Sequence, residues 1–220
     1  MIVLHYTGMP TGEAALARLR DPQAKVSAHY VIEEDGRVFR LVPEERRAWH
    51  AGLAAWRGVS DVNGASIGVE IVNPGHEFGY RAFPQAQIDA VIALVSDIRS
   101  RWIIDQGGIV AHSDVAPGRK EDPGELFPWK ALAEAGHGLW AEPAAAPGGP
   151  LAFGASGAGV FALQAGLTRL GYDCAPSGEF DERTRAVVTA FQRHWRQARV
   201  DGVADGETRA RLIALLREPR

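Results

Sequence analysis

A proline- and glycine-rich stretch, Ala141-Glu142-Pro143-Ala144-Ala145-Ala146-Pro147-Gly148-Gly149-Pro150, splits the chain into two segments of different periodicity. Its three prolines and two glycines carry no large apolar side chain, so it makes a poor core segment and a good linker. The 220 residues then divide into a first domain over 1–140, a linker over 141–150 and a second domain over 151–220. A second domain of that size lies near the lower limit for independent folding.

Before the linker, short apolar runs alternate with helical spacing. Ile2 to His5 reads as a strand. Ala28 to Ile32 and Val38 to Val42 flank Glu34-Asp35-Gly36, a hairpin pattern with Asp-Gly in the turn. Ile67 to Val72 is a third strand unit and Ile109 to His112 a fourth. Pro84 opens a helix whose Ile88, Val91, Ile92, Val95, Ile98 and Trp102 share one face. Tyr6 to Lys25 reads as a loop beside a cleft without a large cover. The expected fold is α/β (α+β), a mixed central sheet flanked by helices.

After the linker the pattern turns helical. Val160, Leu163, Leu167 and Leu170 form one apolar stripe, ended by Gly171. Val187, Val188, Phe191 and Trp195 form a second, and Leu212, Leu215 and Leu216 a third. Two segments, starting at Gly178 and Gly202, repeat the pattern G-x-x-D-x-x-T. Asp181 and Asp205 suit N-caps, with Thr184 and Thr208 at the third helical position. A small three-helix bundle follows.

Chemistry concentrates in Ala111-His112-Ser113-Asp114-Val115-Ala116-Pro117-Gly118-Arg119-Lys120-Glu121-Asp122-Pro123-Gly124. This stretch holds an imidazole and a carboxylate able to bind zinc, with a lysine two positions before the carboxylate. A second imidazole, His5, ends the first strand. Two imidazoles and one carboxylate leave a tetrahedral position open for water, the mark of a catalytic zinc site. Glu70 interrupts an apolar strand, where an unpaired carboxylate costs several kcal/mol. It either faces solvent or belongs to a site.

Five blocks in order carry a family resemblance: His5-Tyr6-Thr7, Val26-Ser27-Ala28-His29-Tyr30, Ala48-Trp49-His50-Ala51-Gly52, Ser66-Ile67-Gly68-Val69-Glu70, and the stretch from Ala111 to Gly124. From Ile2 to about Trp140 the chain resembles the zinc-dependent N-acetylmuramoyl-L-alanine amidases of the type-2 family, with the peptidoglycan-recognition-protein fold. The resemblance implies His5, His112 and Asp122 as zinc ligands, Glu70 as general base and Lys120 as the group that stabilises the oxyanion. Trp49 and His50 are candidates for substrate contact, His50 also for orienting a ligand, and Lys25 and Arg119 for binding stem-peptide carboxylates. His29 reads as structural. Gly157 to Leu216 resembles the three-helix peptidoglycan-binding domain, though packing against the first domain or dimerisation would explain the same positions.

The implied activity is hydrolysis of the amide between N-acetylmuramic acid, or its 1,6-anhydro form, and L-alanine, with peptidoglycan or a muropeptide as the bound partner. A non-catalytic peptidoglycan receptor and a zinc peptidase acting within the stem peptide are the alternatives. The net charge of −3 argues against a general affinity for nucleic acid. No apolar run reaches the roughly 18 residues of a membrane span. The expectation is a monomer, cytoplasmic for want of a leader, or periplasmic if the natural start is missing. All five proposed catalytic residues precede the linker, so the first domain alone is expected to turn over small fragments.

Overall fold

The apolar run at the N-terminus becomes an interior strand of the sheet. β1 (Ile2–Tyr6) lies between β4 (Ile67–Ile71) and β5 (Ile109–Ala111), parallel to both. β2 (Tyr30–Ile32) pairs in parallel with β4, and β3 (Val38–Arg40) closes the far edge antiparallel to β2. The order is β3-β2-β4-β1-β5, a mixed sheet as expected. The computed structural model describes residues 1–143 and 148–218, so part of the expected linker, 144–147, falls outside the described residues.

Strand alternation sorts the side chains onto two faces. Ile2, Leu4, Ile67, Val69, Ile71, Ile109 and Ala111 pack against α4 (Gln85–Arg101) through Ile88, Val91, Val95 and Ile98. Pro84 stands at the N-cap of α4, as the sequence pattern requires. Trp102 departs from expectation: it terminates the helix half-exposed, and its indole N–H donates to Glu44 at 2.5 Å. The opposite face of the sheet carries Val3 and Val110 into a second core, and His5 and Glu70 follow on that side.

Five α-helices among the described residues escaped the sequence pattern, α5 (His112–Val115) among them. α1 (Gly12–Arg20), capped by Thr11, occupies the stretch read as a loop and walls the cleft. α2 (Val62–Ala65), α3 (Gly75–Phe78) and α6 (Trp129–Glu134) are too short to show periodicity. The strand expected to reach His112 ends at Ala111, and His112 opens α5.

The second half is a bundle of α7 (Ala158–Leu170), α8 (Glu182–Trp195) and α9 (Gly206–Leu215). Asp181 and Asp205 cap α8 and α9, accepting from the backbone N–H and hydroxyl of Thr184 and Thr208. The repeat goes further than the caps. Gln164 accepts from the N–H groups of Ser177 and Gly178 and donates to Glu179 O and Thr184 Oγ1. Gln192 does the same with Asp201, Gly202, Val203 and Thr208. Each buried glutamine thus satisfies an irregular loop that would otherwise bury unpaired backbone groups.

The two halves share one core. Trp56 packs edge-on against Tyr172, and both join Val3, Val110, Val115, Leu139, Leu167, Leu170 and Trp195. Gly171, with φ of 149°, ends α7 against Trp56; a Cβ there would lie 2.6 Å from the indole. Polar contacts follow the seam: Arg57 N–H to Gly171 O at 2.8 Å, Trp195 Nε1–H to Leu139 O at 2.9 Å, and Arg211 to Ala141 O at 3.0 Å.

Candidate metal centre

Three side chains from distant parts of the sequence converge at the C-terminal end of β1. His5 Nδ1 lies 2.9 Å from His112 Nδ1 and 3.0 Å from Asp122 Oδ2, and His112 Nδ1 lies 2.8 Å from Asp122 Oδ2. All three residues are buried. Among the described residues they form the one His/Cys/Asp/Glu group close enough to share an ion. Ligands about 2.0–2.1 Å from a tetrahedral zinc sit roughly 3.3 Å apart, so these atoms need to open by only a few tenths of an ångström.

Hydrogen bonds outside the triad leave both inner nitrogens free to coordinate. His112 Nε2 is 3.0 Å from Ala51 O, which can only accept, so Nε2 carries the proton and Nδ1 presents its lone pair. The same logic runs through His50. Ser66 Oγ donates to Val62 O at 2.5 Å, so it accepts from His50 Nε2 at 3.3 Å. His50 Nδ1 then accepts from His5 Nε2 at 3.0 Å, which leaves His5 Nδ1 facing the other ligands. His50 is buried and its loop is held by Asn63 Oδ1, which accepts from the N–H groups of His50 and Ala51. This suits orientation of a ligand better than contact with substrate. His29 belongs to the scaffold: Gly68 N–H donates to its Nδ1, and its Nε2 reaches Arg46 O.

Electrostatics fit a cation between these groups. Burial, reinforced by His112, lowers the His5 pKa to about 4 and keeps the ring neutral near pH 7. Burial opposes ionisation of Asp122, but positive charge on the neighbouring His112 and His5 would outweigh it and hold the carboxyl well below the usual range, a part that a cation between the three groups takes when the rings are neutral. Burial, then His5 and the other imidazoles, push His50 well below its ordinary value.

Glu70 is the direct register partner of His5, one strand away on the same face. Burial, and then repulsion from Asp122, raise its pKa well above 4.5, with Lys120 acting in the opposite sense. Its Oε2 is buried with no hydrogen-bond partner among the described residues. A carboxyl kept basic and unpaired beside a metal site is equipped to exchange a proton with water. Lys120 lines the same cleft of about 420 Å³, together with His5, His112 and Asp122.

The remaining residues singled out in the sequence take different places. Trp49 is 55% exposed at the cleft mouth, with the Arg47 guanidinium 4.2 Å above its ring. Lys25 is exposed in an adjoining groove, also bordered by Trp49, and adopts φ of 55°. Arg119 lines the main cleft, yet donates to Ala51 O and to Leu53 O at 2.7 Å, bracing the loop that carries His50. Sequence reasoning assigned nothing to Asn63 or Asp114. Apart from Ala111 N–H, three positions before Asp114, their partners lie 12 to 80 positions away, where no local signal marks them.

Residues 1–125 match the family model described as N-acetylmuramoyl-L-alanine amidase. The chain belongs to this amidase family. Residues 156–212 match a second model, described as a putative peptidoglycan binding domain. The chain is 39% identical to the N-acetylmuramoyl-L-alanine amidase AmiD of Escherichia coli, over 98% of this chain and 82% of AmiD. It is 32% identical to the 1,6-anhydro-N-acetylmuramyl-L-alanine amidase AmpD of the same organism, over 59% of this chain and 78% of AmpD. A solved structure of E. coli AmiD, in complex with anhydro-N-acetylmuramic acid-L-Ala-D-gamma-Glu-L-Lys, superposes with a TM-score of 0.84 at 38% identity and covers 98% of this chain and 88% of that one. Pseudomonas aeruginosa AmpDh3 in complex with anhydromuramic pentapeptide gives 0.80 at 31% identity, covering 98% and 90%. This amidase is therefore an enzyme of amide hydrolysis rather than a receptor. Among the described residues no helix is long and apolar enough to cross a membrane.

Proposed function

We propose that the chain is a zinc amidase that releases the stem peptide from N-acetylmuramic acid, with His5, His112 and Asp122 as the metal ligands. The observation that carries this reading is the convergence of two imidazole Nδ1 atoms and one carboxylate oxygen, with both tautomers set from behind. A zinc ion held there supplies a Lewis acid for the scissile carbonyl and lowers the pKa of a water in its open position.

The chain's own residues do the rest. Glu70 takes a proton from the attacking water and returns it to the leaving amine of L-alanine, a role that its raised pKa suits. Lys120 sets an ammonium against the negative charge of the tetrahedral carbon's oxygen. Trp49 offers an exposed aromatic face to the substrate, and Lys25 a cation for a stem-peptide carboxylate. Arg119 holds the loop over His112 and lends the cleft positive charge.

The substrate is the muramoyl–alanine amide of a muropeptide, including the 1,6-anhydro form; the anhydro-muropeptides held by the AmiD and AmpDh3 structures support this reading. We read 1–140 as the catalytic domain and 151–220 as a murein-binding domain, joined by 141–150. Metal analysis with mass spectrometry of products tests the whole proposal. One zinc per chain and a free L-alanine amine on the released peptide are expected, from anhydro-muropeptide and from sacculi alike. Cleavage between stem-peptide residues, or full turnover by metal-free protein, would overturn it.

A further inference from the structure

The loop that bears His112 and Asp122 is gripped from behind by the second half of the molecule. Asp114 sits two residues after His112 and is fully buried. Its carboxyl oxygens take three donors. Oδ2 accepts from Ala111 N–H at 2.8 Å and from His194 Nδ1 at 2.6 Å, and Oδ1 accepts from the Tyr172 hydroxyl at 2.5 Å. Only the first of these belongs to the catalytic half. The other two come from α8 and from the turn after α7.

The grip extends along the whole loop. Arg193 of α8 donates to Glu121, the neighbour of Asp122, at 2.7 Å. Gln197, just beyond α8, donates to the carbonyls of Glu125 and Phe127 at 2.6 Å each. The imidazole of His194 is itself fixed, stacked between Trp129 at 3.6 Å and Trp195 at 3.7 Å. One helix therefore contacts the chain just after one proposed ligand and beside the other.

We infer that α8 and Tyr172 are a positioning brace for the metal centre: through Asp114 and Glu121 they set where His112 and Asp122 present their ligand atoms. The physical reason lies in Asp114. Ala111 N–H is the backbone group immediately before His112, and the carboxyl that holds it is in turn held by Tyr172 and His194. Removing those two donors leaves a buried acceptor underpaired, and the turn that aims His112 relaxes to find water. The bundle is then part of the active site's construction, in addition to any contact it makes with murein. This inference rests on the proposed zinc centre.

The test uses the full chain. Tyr172→Phe deletes one oxygen and keeps the ring packed on Trp56, and Tyr172→Phe/His194→Phe also keeps the stack between Trp129 and Trp195. Arg211→Gln serves as the comparison, because it loosens the seam at Ala141 without touching the loop. Zinc affinity is read by chelator competition, and ligand geometry by the visible absorption of the cobalt-substituted protein. The double variant is expected to bind zinc at least about ten-fold more weakly, the range typical of lost support to a ligand. Its cobalt spectrum should shift and kcat should fall with KM steady, and Tyr172→Phe should show a smaller effect in the same direction. Arg211→Gln should lose thermal stability alone. If wild type binds zinc and both Tyr172 variants match it in affinity and spectrum, the brace is refuted while the zinc centre stands. If wild type binds no zinc, the reading beneath it fails as well.

Discussion

The imidazole of His50 lies directly over Gly68, so close that a Cβ on Gly68 would stand 2.4 Å from the ring. Gly68 occupies β4 two residues before Glu70, on the face that carries the metal site. Glycine there is a requirement of space: it lets a second imidazole settle against the sheet and hold the first. Gly68→Ala is therefore expected to fold, since a strand accepts alanine, but to push His50 away from His5 Nε2. Zinc affinity measured by chelator competition should fall roughly 10- to 100-fold. Unchanged affinity would remove His50 from the support of the centre.

Glu70→Gln should retain zinc and lose rate by about 10²-fold or more, because the amide cannot accept the water proton. It should also be more stable than wild type in metal-free protein at neutral pH. The sign follows from the raised pKa. Below pH 4.5 the carboxyl is protonated in both the folded and unfolded chain. Above it the unfolded chain releases the proton while the folded one retains it, so wild-type stability falls as pH rises toward the folded pKa. Glutamine lacks this dependence. Denaturant melts at pH 4 and pH 7 check it: the advantage of Glu70→Gln should be larger at pH 7, and the reverse order would contradict the buried, unpaired carboxyl.

Lys120→Ala tests the oxyanion role in isolation from metal binding. Zinc stoichiometry should remain at one per chain, and kcat should drop by roughly 10²-fold with little change in KM. Loss of the metal on this substitution would mean that Lys120 holds the loop rather than the charge.

The shared core makes a thermodynamic prediction. Trp56→Ala should destabilise the molecule by roughly 3–5 kcal/mol, the range for deleting a large buried aromatic side chain. Calorimetry should show one transition for wild type, with both halves unfolding together. Two resolved transitions would mean that the seam contributes little. Cutting the chain at 147 would uncover Trp56, Val110 and Leu139, so the expectation that the first domain alone turns over small fragments no longer follows from the position of its ligands in the sequence.

Much of this site could be read from the residues in order. Period-two alternation in β1 and β4 places His5 and Glu70 on one face, and the apolar stripe after Pro84 locates the helix on the other. The caps at Asp181 and Asp205 were visible because capping is local. What escaped was the non-local part. His50 reads as a candidate for substrate contact or for orienting a ligand, and the second is favoured only once the fold brings Ser66 and His5 to its two nitrogens. Asp114 carries no assignment in the sequence, because Tyr172 and His194 reach it from the other half. Helix α1 shows no apolar stripe to read: it is short, its Ala and Leu residues are scattered around it, and only Gly12 and Ala15 are buried.

The seam between the halves bears on how such a protein can change over generations. A small bundle tethered by a proline-rich string can be exchanged for another as a cassette, its neighbour indifferent to the swap. Here the bundle carries Tyr172, His194 and Trp195 into a surface shaped to receive them, with Gly171 trimmed to fit against Trp56. A foreign bundle joined at the same linker would leave Asp114 and Trp56 facing water. For this chain 141–150 is therefore a poor place to exchange one bundle for another, because the exchange would undo contacts made on both sides of the seam.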